Sequence, residues 1–258
     1  MSDLDSSPET PRRPANVCWV LGEDRELAEA VAPAERQTAV QECTAREIHL
    51  PRGCWSAGQS DVTADGIGFL VLDGLLMRRI GIGGLYGAEL LGRGDILRPW
   101  QGEDVQPSLP SVSAWTVLQP ARLAVLDPRA SRRLARYPPL TARLVARALE
   151  RSRNLAINMT IVHHYRVETR LHMLFWHLAD RWGRVRTDGV ALPLRLTHSI
   201  LADLVCARRS TVTGALSELK ARGVLQGDSG EWLLIGEPPS ELLGLDRVGV
   251  GARSRAID

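Results

Sequence analysis

Along the chain the spacing of apolar positions changes several times, and each change predicts a different kind of structure. From Asp24 to Ala32 and from Pro33 to Cys43 it fits two short helices. The second carries Glu35, Arg36, Gln37 and Gln41 outward, with Pro33 at a first-turn position that needs no amide hydrogen. Between 45 and 128, short apolar segments recur between glycine-rich turns. Arg46 to Leu50 alternates as a strand, and Ile67–Leu72, Asp73-Gly74 and Leu75–Ile80 read as a hairpin. Gly92 to Leu97 turns into another strand, and Val112–Leu118 with Arg122–Leu126 makes the last pair. So many short strands in one block predict a small barrel or double-sheet roll. From Pro139 the period becomes helical: Leu140, Leu144, Ala148, Ser152, Leu155, Met159 and Val162 recur every three or four residues. Such a helix is roughly 35 Å long, and its narrow apolar seam predicts pairing with another helix. Residues 166–182 follow as a further helix with Leu171, Leu174, Phe175 and Leu178 inward.

The pattern between Leu194 and Leu225 is the most informative. Thr197 is placed to cap a helix, because its hydroxyl can accept from a free amide of the first turn. Ile200, Leu201, Leu204 and Val205 then recur at helical spacing, and Cys206-Ala207-Arg208 interrupts them. A second helix carries Val212, Ala215, Leu216 and Leu219 on one face and Arg209, Ser210, Thr213, Gly214, Ser217 and Lys220 on the other. Gly223 ends it as a glycine just past a helix does. Two short helices about three residues apart, the second polar and basic outward, predict a helix-turn-helix. Val224-Leu225, the turn Asp228-Ser229-Gly230 and Trp232–Ile235 add a short hairpin in the place of a wing. The pair Arg208-Arg209 opens the second helix, where phosphate or base edges would be met.

This segment resembles the DNA-binding end of the cAMP receptor protein/fumarate–nitrate regulator (Crp/Fnr) superfamily. Thr197, Leu201, Ala202, Arg209, Thr211, Val212, Leu216, Leu219, Gly223 and Val224 fall on the family pattern, and upstream so do Val167-Glu168-Thr169-Arg170-Leu171 and Leu178-Ala179. The resemblance covers about seventy residues. A looser one links Gly53, the run Gly66 to Gly74 and Gly94-Asp95 to the family's cyclic-nucleotide-binding β-roll. It implies an α+β chain: a 1–16 tail, an effector-sensing roll over 17–136, a dimerisation helix over 137–164, a winged helix-turn-helix over 165–236 and a loose tail over 237–258. It further implies a homodimer joined through Leu140, Leu144, Ala148, Leu155, Met159 and Val162. The implied partners are near-palindromic double-stranded DNA and RNA polymerase. Arg209 resembles the family arginine that contacts guanine. Thr197, Arg208 and Lys220 are expected on phosphate, with Ser210, Thr211, Thr213, Gly214 and Ser217 completing the DNA-binding face.

The ligand pattern of that family departs from this chain. Cyclic-nucleotide binders place Gly-Glu-Leu after the Gly-Asp turn and an Arg-Ser/Thr-Ala run before the next strand. Here Gly94-Asp95-Ile96-Leu97 is followed by Arg98-Pro99-Trp100, and Ser111-Val112-Ser113-Ala114 stands in the second place. A cyclic phosphate would be buried without a bidentate cation, so cAMP is not expected and the effector is left open. Arg93 or Arg98 could serve another ligand, although a surface charge is the plainer reading of each. Gly81-Ile82-Gly83-Gly84 reads as a turn, since no phosphate-binding helix follows it.

Composition changes the picture little. The chain has 258 residues, 44% hydrophobic and 24% charged, enough for two modest domains. A net charge of +2 does not by itself imply nucleic acid, but 129–170 holds ten Arg against Glu150 and Glu168. Among the basic residues Lys220 is the single lysine. Nothing reads as a transmembrane helix or a signal peptide. Cys18, Cys43, Cys54 and Cys206 form no CxxC, which suits free thiols in a reducing bacterial cytoplasm. They are too scattered for an iron–sulfur cluster. His163, His164, His172 and His177 offer no ligand pair one helical turn apart, so no metal or other cofactor is expected. No nucleophile elbow, HExxH or P-loop is present, so an enzyme is not expected. The rival to a transcription regulator is a ligand-binding module whose helix-turn-helix makes only protein contacts.

Overall fold

The computed structural model describes residues 16–56, 65–100, 108–228 and 230–238. The expected tails over 1–16 and 237–258 lie almost entirely outside the described residues. Two compact units emerge. The first holds the described residues up to 77, then 90–100, 108 and 114–151; the second holds 78–89, 109–113 and the described residues from 152 onward.

The first unit opens with β1 (Val17–Trp19), α1 (Val20–Glu23), α2 (Arg25–Ala30) and α3 (Pro33–Glu42). Asp24 caps α2, its Oδ1 accepting from the Leu27 amide at 3.1 Å, and Pro33 starts α3. Then come β2 (Thr44–Leu50), β3 (Gly53–Trp55), β4 (Gly68–Ile82), β5 (Leu85–Gly92), β6 (Ile96–Leu97), β7 (Val112–Leu126), α4 (Pro128–Leu134) and α5 (Pro138–Val162). The strands form an antiparallel sheet in the order β1-β2-β7-β4-β5, with β3 on β7 and β6 on β4.

Two expectations are corrected here. Asp73-Gly74 is not a hairpin turn, because β4 runs through it for 15 residues. Gly74 has φ +94°, and a Cβ there would stand 2.4 Å from the Pro120 carbonyl oxygen, so the glycine lets two strands close up. The true turn is Gly83-Gly84, with φ +58° and +81°, the signs that a type I′ hairpin turn requires. Likewise Val112–Leu118 and Arg122–Leu126 are one strand. β7 pairs with β3 at Trp115–Val117 and with β2 at Ala121–Val125, changing partner around Pro120.

Two apolar clusters fill this unit. One joins Cys18, Val20, Leu27, Ala39 and Cys43 to Leu70, Leu72, Leu126, Leu140 and Leu144. The other packs Phe69, Val71, Leu91, Leu97, Trp115 and Leu123, with Trp55 and Trp100 against them. There the indoles of Trp55 and Trp100 meet Phe69 edge-on at 5.6 and 5.5 Å, a favoured aromatic arrangement.

The second unit takes the end of the β4–β5 hairpin and the rest of α5. It continues with α6 (Val167–Trp182), β8 (Arg184–Arg186), β9 (Gly189–Leu192), α7 (His198–Leu204), α8 (Arg209–Ala221), β10 (Leu225–Gly227) and β11 (Trp232–Leu234). Leu171, Leu174, Phe175 and Leu178 of α6 are buried as their spacing predicts. The expected two-stranded wing is part of a four-stranded sheet, β10-β11-β9-β8. Trp232 is fully buried, its ring 5.0 Å from that of Phe175.

Candidate nucleic-acid interface

α7 and α8 form the predicted helix-turn-helix. The Thr197 Oγ1 accepts from the Ile200 amide at 3.3 Å, which makes Thr197 the cap of α7. The turn between the helices passes through Cys206 at φ +51°, a left-handed conformation rare outside glycine. Ala207 N–H donates back to the Ala202 carbonyl at 3.0 Å. Arg170 fastens the turn from α6: its Nη1 donates to the Val205 carbonyl at 3.2 Å and its Nε to the His164 carbonyl at 2.6 Å. The sequence pattern marks Arg170, but not this task, which joins residues 35 apart.

Val212, Ala215, Leu216 and Leu219 bury one face of α8. On the other, Arg209, Ser210, Thr211, Thr213, Gly214, Ser217 and Lys220 are exposed, as is Arg208 just before the helix. Arg208 is the N-cap and gives no side-chain cap, so the first-turn amides stay unclaimed by it. Among the described residues neither the Arg208 nor the Arg209 guanidinium has a hydrogen bond or ion pair. The two cations and the open helix start therefore face solvent together, an arrangement suited to anions. Ser210, Gly214 and Ser217 line the middle of the outward face. A Cβ on Gly214 would meet nothing within 4 Å, so glycine is not required there for packing. Thr211 lies on one flank with Glu218, one heptad on; Glu218 stands 3.5 Å from Arg166. Lys220 sits at the far end, its Nζ 5.6 Å above the Trp232 ring, so it braces the wing as well as carrying charge.

Two features escape sequence reasoning because they depend on long-range contacts. His198, the first residue of α7, places its Nδ1 2.9 Å from the Thr213 Oγ1 on α8. The end of the β4–β5 hairpin reaches the turn: Arg79 Nε lies 3.3 Å from Asp203, and the Cys206 thiol points to the Tyr86 carbonyl at 3.6 Å. Burial pushes the Asp203 carboxyl above its ordinary range against the pull of Arg79. Burial likewise raises the Cys206 thiol, with Arg170 opposing and Asp203 adding.

The expected dimer seam needs a correction. Leu140 and Leu144 are 0% and 4% exposed inside the first unit's core, so they are not available to a second chain. Ala148 is exposed, and Leu155 and Val162 are half-buried. Met159 is 63% exposed, and Val145 and Leu149, outside the expected set, are 54% and 66% exposed. Arg93 donates to the Glu23 carbonyl, and Arg98 stands 5.9 Å from the Trp100 ring. Among the described residues no three His, Cys, Asp or Glu side chains are grouped to hold a metal ion. His172 accepts from the Trp176 indole at 3.1 Å.

Fold and site define a protein built from an antiparallel roll, a long helix and a winged helix-turn-helix. Residues 169–239 match the Crp-like helix-turn-helix domain family. No curated protein matches the sequence. Among solved structures, a CooA variant from Carboxydothermus hydrogenoformans is similar at 16% identity, with a TM-score of 0.60, over 78% of this chain and 87% of that one. A cyclic nucleotide-binding domain containing protein from Listeria monocytogenes is similar at 17% identity and TM-score 0.60, over 83% and 95%. FixK2 from Bradyrhizobium japonicum is similar at 17% identity and TM-score 0.53, over 78% and 96%. At these identities the likeness is one of fold. The chain thus carries a Crp-like helix-turn-helix domain, and its fold is similar to that of these solved structures. Among the described residues no helix is long and apolar enough to cross a membrane.

Proposed function

We propose that the protein is a sequence-specific DNA-binding transcription regulator that works as a homodimer. The observation that carries this reading is the start of α8. Arg208 and Arg209, both exposed and without partners among the described residues, stand at an open helix terminus beside a face of small hydroxyl-bearing residues. A helix with that face enters a major groove closely, sets its register by charge on phosphate and reads base edges by side chain. Arg209 takes a guanine. Thr197 and Arg208 take phosphate, with Lys220 a weaker contributor. A two-fold axis would place two such helices about one DNA turn apart on a near-palindromic site, and RNA polymerase is the further partner of a regulator of this kind.

The dimer forms along α5, through Met159 with Leu155, Val162 and Ala148, and through Val145 and Leu149 in place of the two buried leucines. The roll senses a signal other than cAMP. The glutamate and arginine that hold a cyclic nucleotide are missing from the positions after Gly94-Asp95 and around Ser111–Ala114, while indoles and Phe69 pack the neighbouring core. The signal acts by shifting the balance between DNA-competent and incompetent dimers. The test is selection from a pool of random duplexes. Enrichment of a near-palindromic sequence is expected; a pool that stays random after several rounds would contradict the reading and favour a helix-turn-helix that contacts protein alone.

A further inference from the structure

We propose that Thr213 reads a thymine through its methyl group, and that His198 is the positioning residue that turns the hydroxyl away from the base. This inference rests on the DNA-binding reading above and adds a named base contact to it.

The Thr213 hydroxyl has a single hydrogen to give. The Thr213 Oγ1 lies 3.0 Å from the Arg209 carbonyl oxygen, one turn back along α8. A carbonyl can only accept, so the hydroxyl donates its hydrogen there. His198 Nδ1 stands 2.9 Å from the same oxygen. With the hydroxyl hydrogen already committed, Nδ1 must carry the proton and donate, which also fixes the imidazole tautomer. The Thr213 oxygen is thereby engaged from both sides, by its own helix and by α7, and has no hydrogen left for a base acceptor.

With no hydrogen to donate and its oxygen held toward α7 and its own helix, Thr213 presents its methyl. Thr213 is exposed and lies one helical turn beyond Arg209, so it shares that residue's side of the helix. The next hydroxyl along, Ser217, is also turned back, its Oγ donating to the Thr213 carbonyl at 3.1 Å. Gly214 offers no side chain. Beyond Ser210 this face therefore has no donor hydrogen free at Thr213, Gly214 or Ser217 and offers carbon at Thr213, and the base that shows carbon in the major groove is thymine, through its C5 methyl. A guanine read by Arg209 and a thymine near it are the expected pair in each half-site.

The test uses the full-length protein and the duplex enriched by selection. Each thymidine is replaced in turn by deoxyuridine, which removes the C5 methyl and nothing else, and affinity is read by fluorescence anisotropy. For wild type, one thymine per half-site should show a loss of about fourfold, the scale of one buried methyl group. Thr213→Val keeps a methyl and should keep the thymine preference. Thr213→Ser keeps the hydroxyl and should bind the two duplexes equally. His198→Ala should lower the preference, and His198→Asn, which restores an N–H donor, should recover it; a merely structural role for His198 would not follow that rescue. Thermal melting of each variant confirms that it is folded. Uridine tolerated at every position, or a thymine preference that survives in Thr213→Ser, overturns the proposal. A preference unchanged in His198→Ala overturns the part given to His198. A selection that enriches nothing overturns the DNA-binding reading and this one with it, whereas enrichment followed by indifference to uridine overturns this one alone.

Discussion

Arg147 is a buried cation set between carboxylates of the first unit. Its side chain is 9% exposed and that of Asp24 is 7% exposed. Two nearly parallel bonds join them, Nη1 to Oδ2 at 2.7 Å and Nη2 to Oδ1 at 2.9 Å, and Nη2 also meets Glu26. Removing the guanidinium strands a carboxylate away from water, which costs about 3–5 kcal/mol. Arg147→Ala should lower the unfolding free energy in urea by that order, whereas Arg25→Ala, which loses an exposed pair with Glu29, should change it by under about 1 kcal/mol. Equal effects would contradict the assignment. The thiols offer a second residue-scale test. Burial, with the neighbouring Glu42, pushes Cys43 up to about 11. A raised thiol pKa leaves little of the reactive thiolate at pH 8. Cys54 and Cys206 are exposed and Cys18 and Cys43 buried, so alkylation at pH 8 should modify Cys54 first, Cys206 with its raised thiol more slowly, and Cys43 and Cys18 only on unfolding. Rapid labelling of Cys43 in the folded protein would contradict this. Thr197 as a cap and Val212, Leu216 and Leu219 as core were legible in the sequence because caps and helical periods are local rules. The contacts of Arg170 and His198 were not, because they bridge residues 35 and 15 apart.

At the scale of elements, α5 shows where periodicity stops being decisive. Leu140 and Leu144 lie in one apolar row, while Val145 and Leu149 lie apart from it. Spacing alone does not say which row faces the chain's own core. The core took Leu140 and Leu144 because α1, α2 and α4 pack there with them, and those short helices left a weak signal. Two substitutions separate the rows. Leu144→Ala should destabilise the fold by about 2–5 kcal/mol through the cavity it leaves. Leu149→Glu should leave the thermal transition nearly unchanged and convert a dimer to a monomer in sedimentation, since it puts charge at the seam. A variant at position 149 that still sediments as a dimer would place the interface elsewhere. The strands teach a related lesson. Asp73-Gly74 carries a turn signature, yet Gly74 serves the close approach of Pro120 from another strand, which no local pattern encodes. The wing was legible as a hairpin, but its sheet partners β8 and β9 are too short, at 3 and 4 residues, to show alternation.

At the scale of the whole molecule, two compact units share one chain whose net charge is only +2. A charge so small cannot bind DNA by field alone, so binding depends on where the arginines stand. In the proposed function Arg209 reads a base while Arg208 holds phosphate. The direct measurement is an anisotropy titration of wild type, Arg209→Ala and Arg208→Ala against the selected duplex and a scrambled one at several salt concentrations. Arg209→Ala should lose about 1–3 kcal/mol per half-site on the selected duplex and little on the scrambled one. Arg208→Ala should weaken both alike and reduce the salt slope by about one per half-site. If Arg209→Ala instead weakens both duplexes equally, Arg209 is a phosphate clamp and the reading face assigned to α8 is wrong.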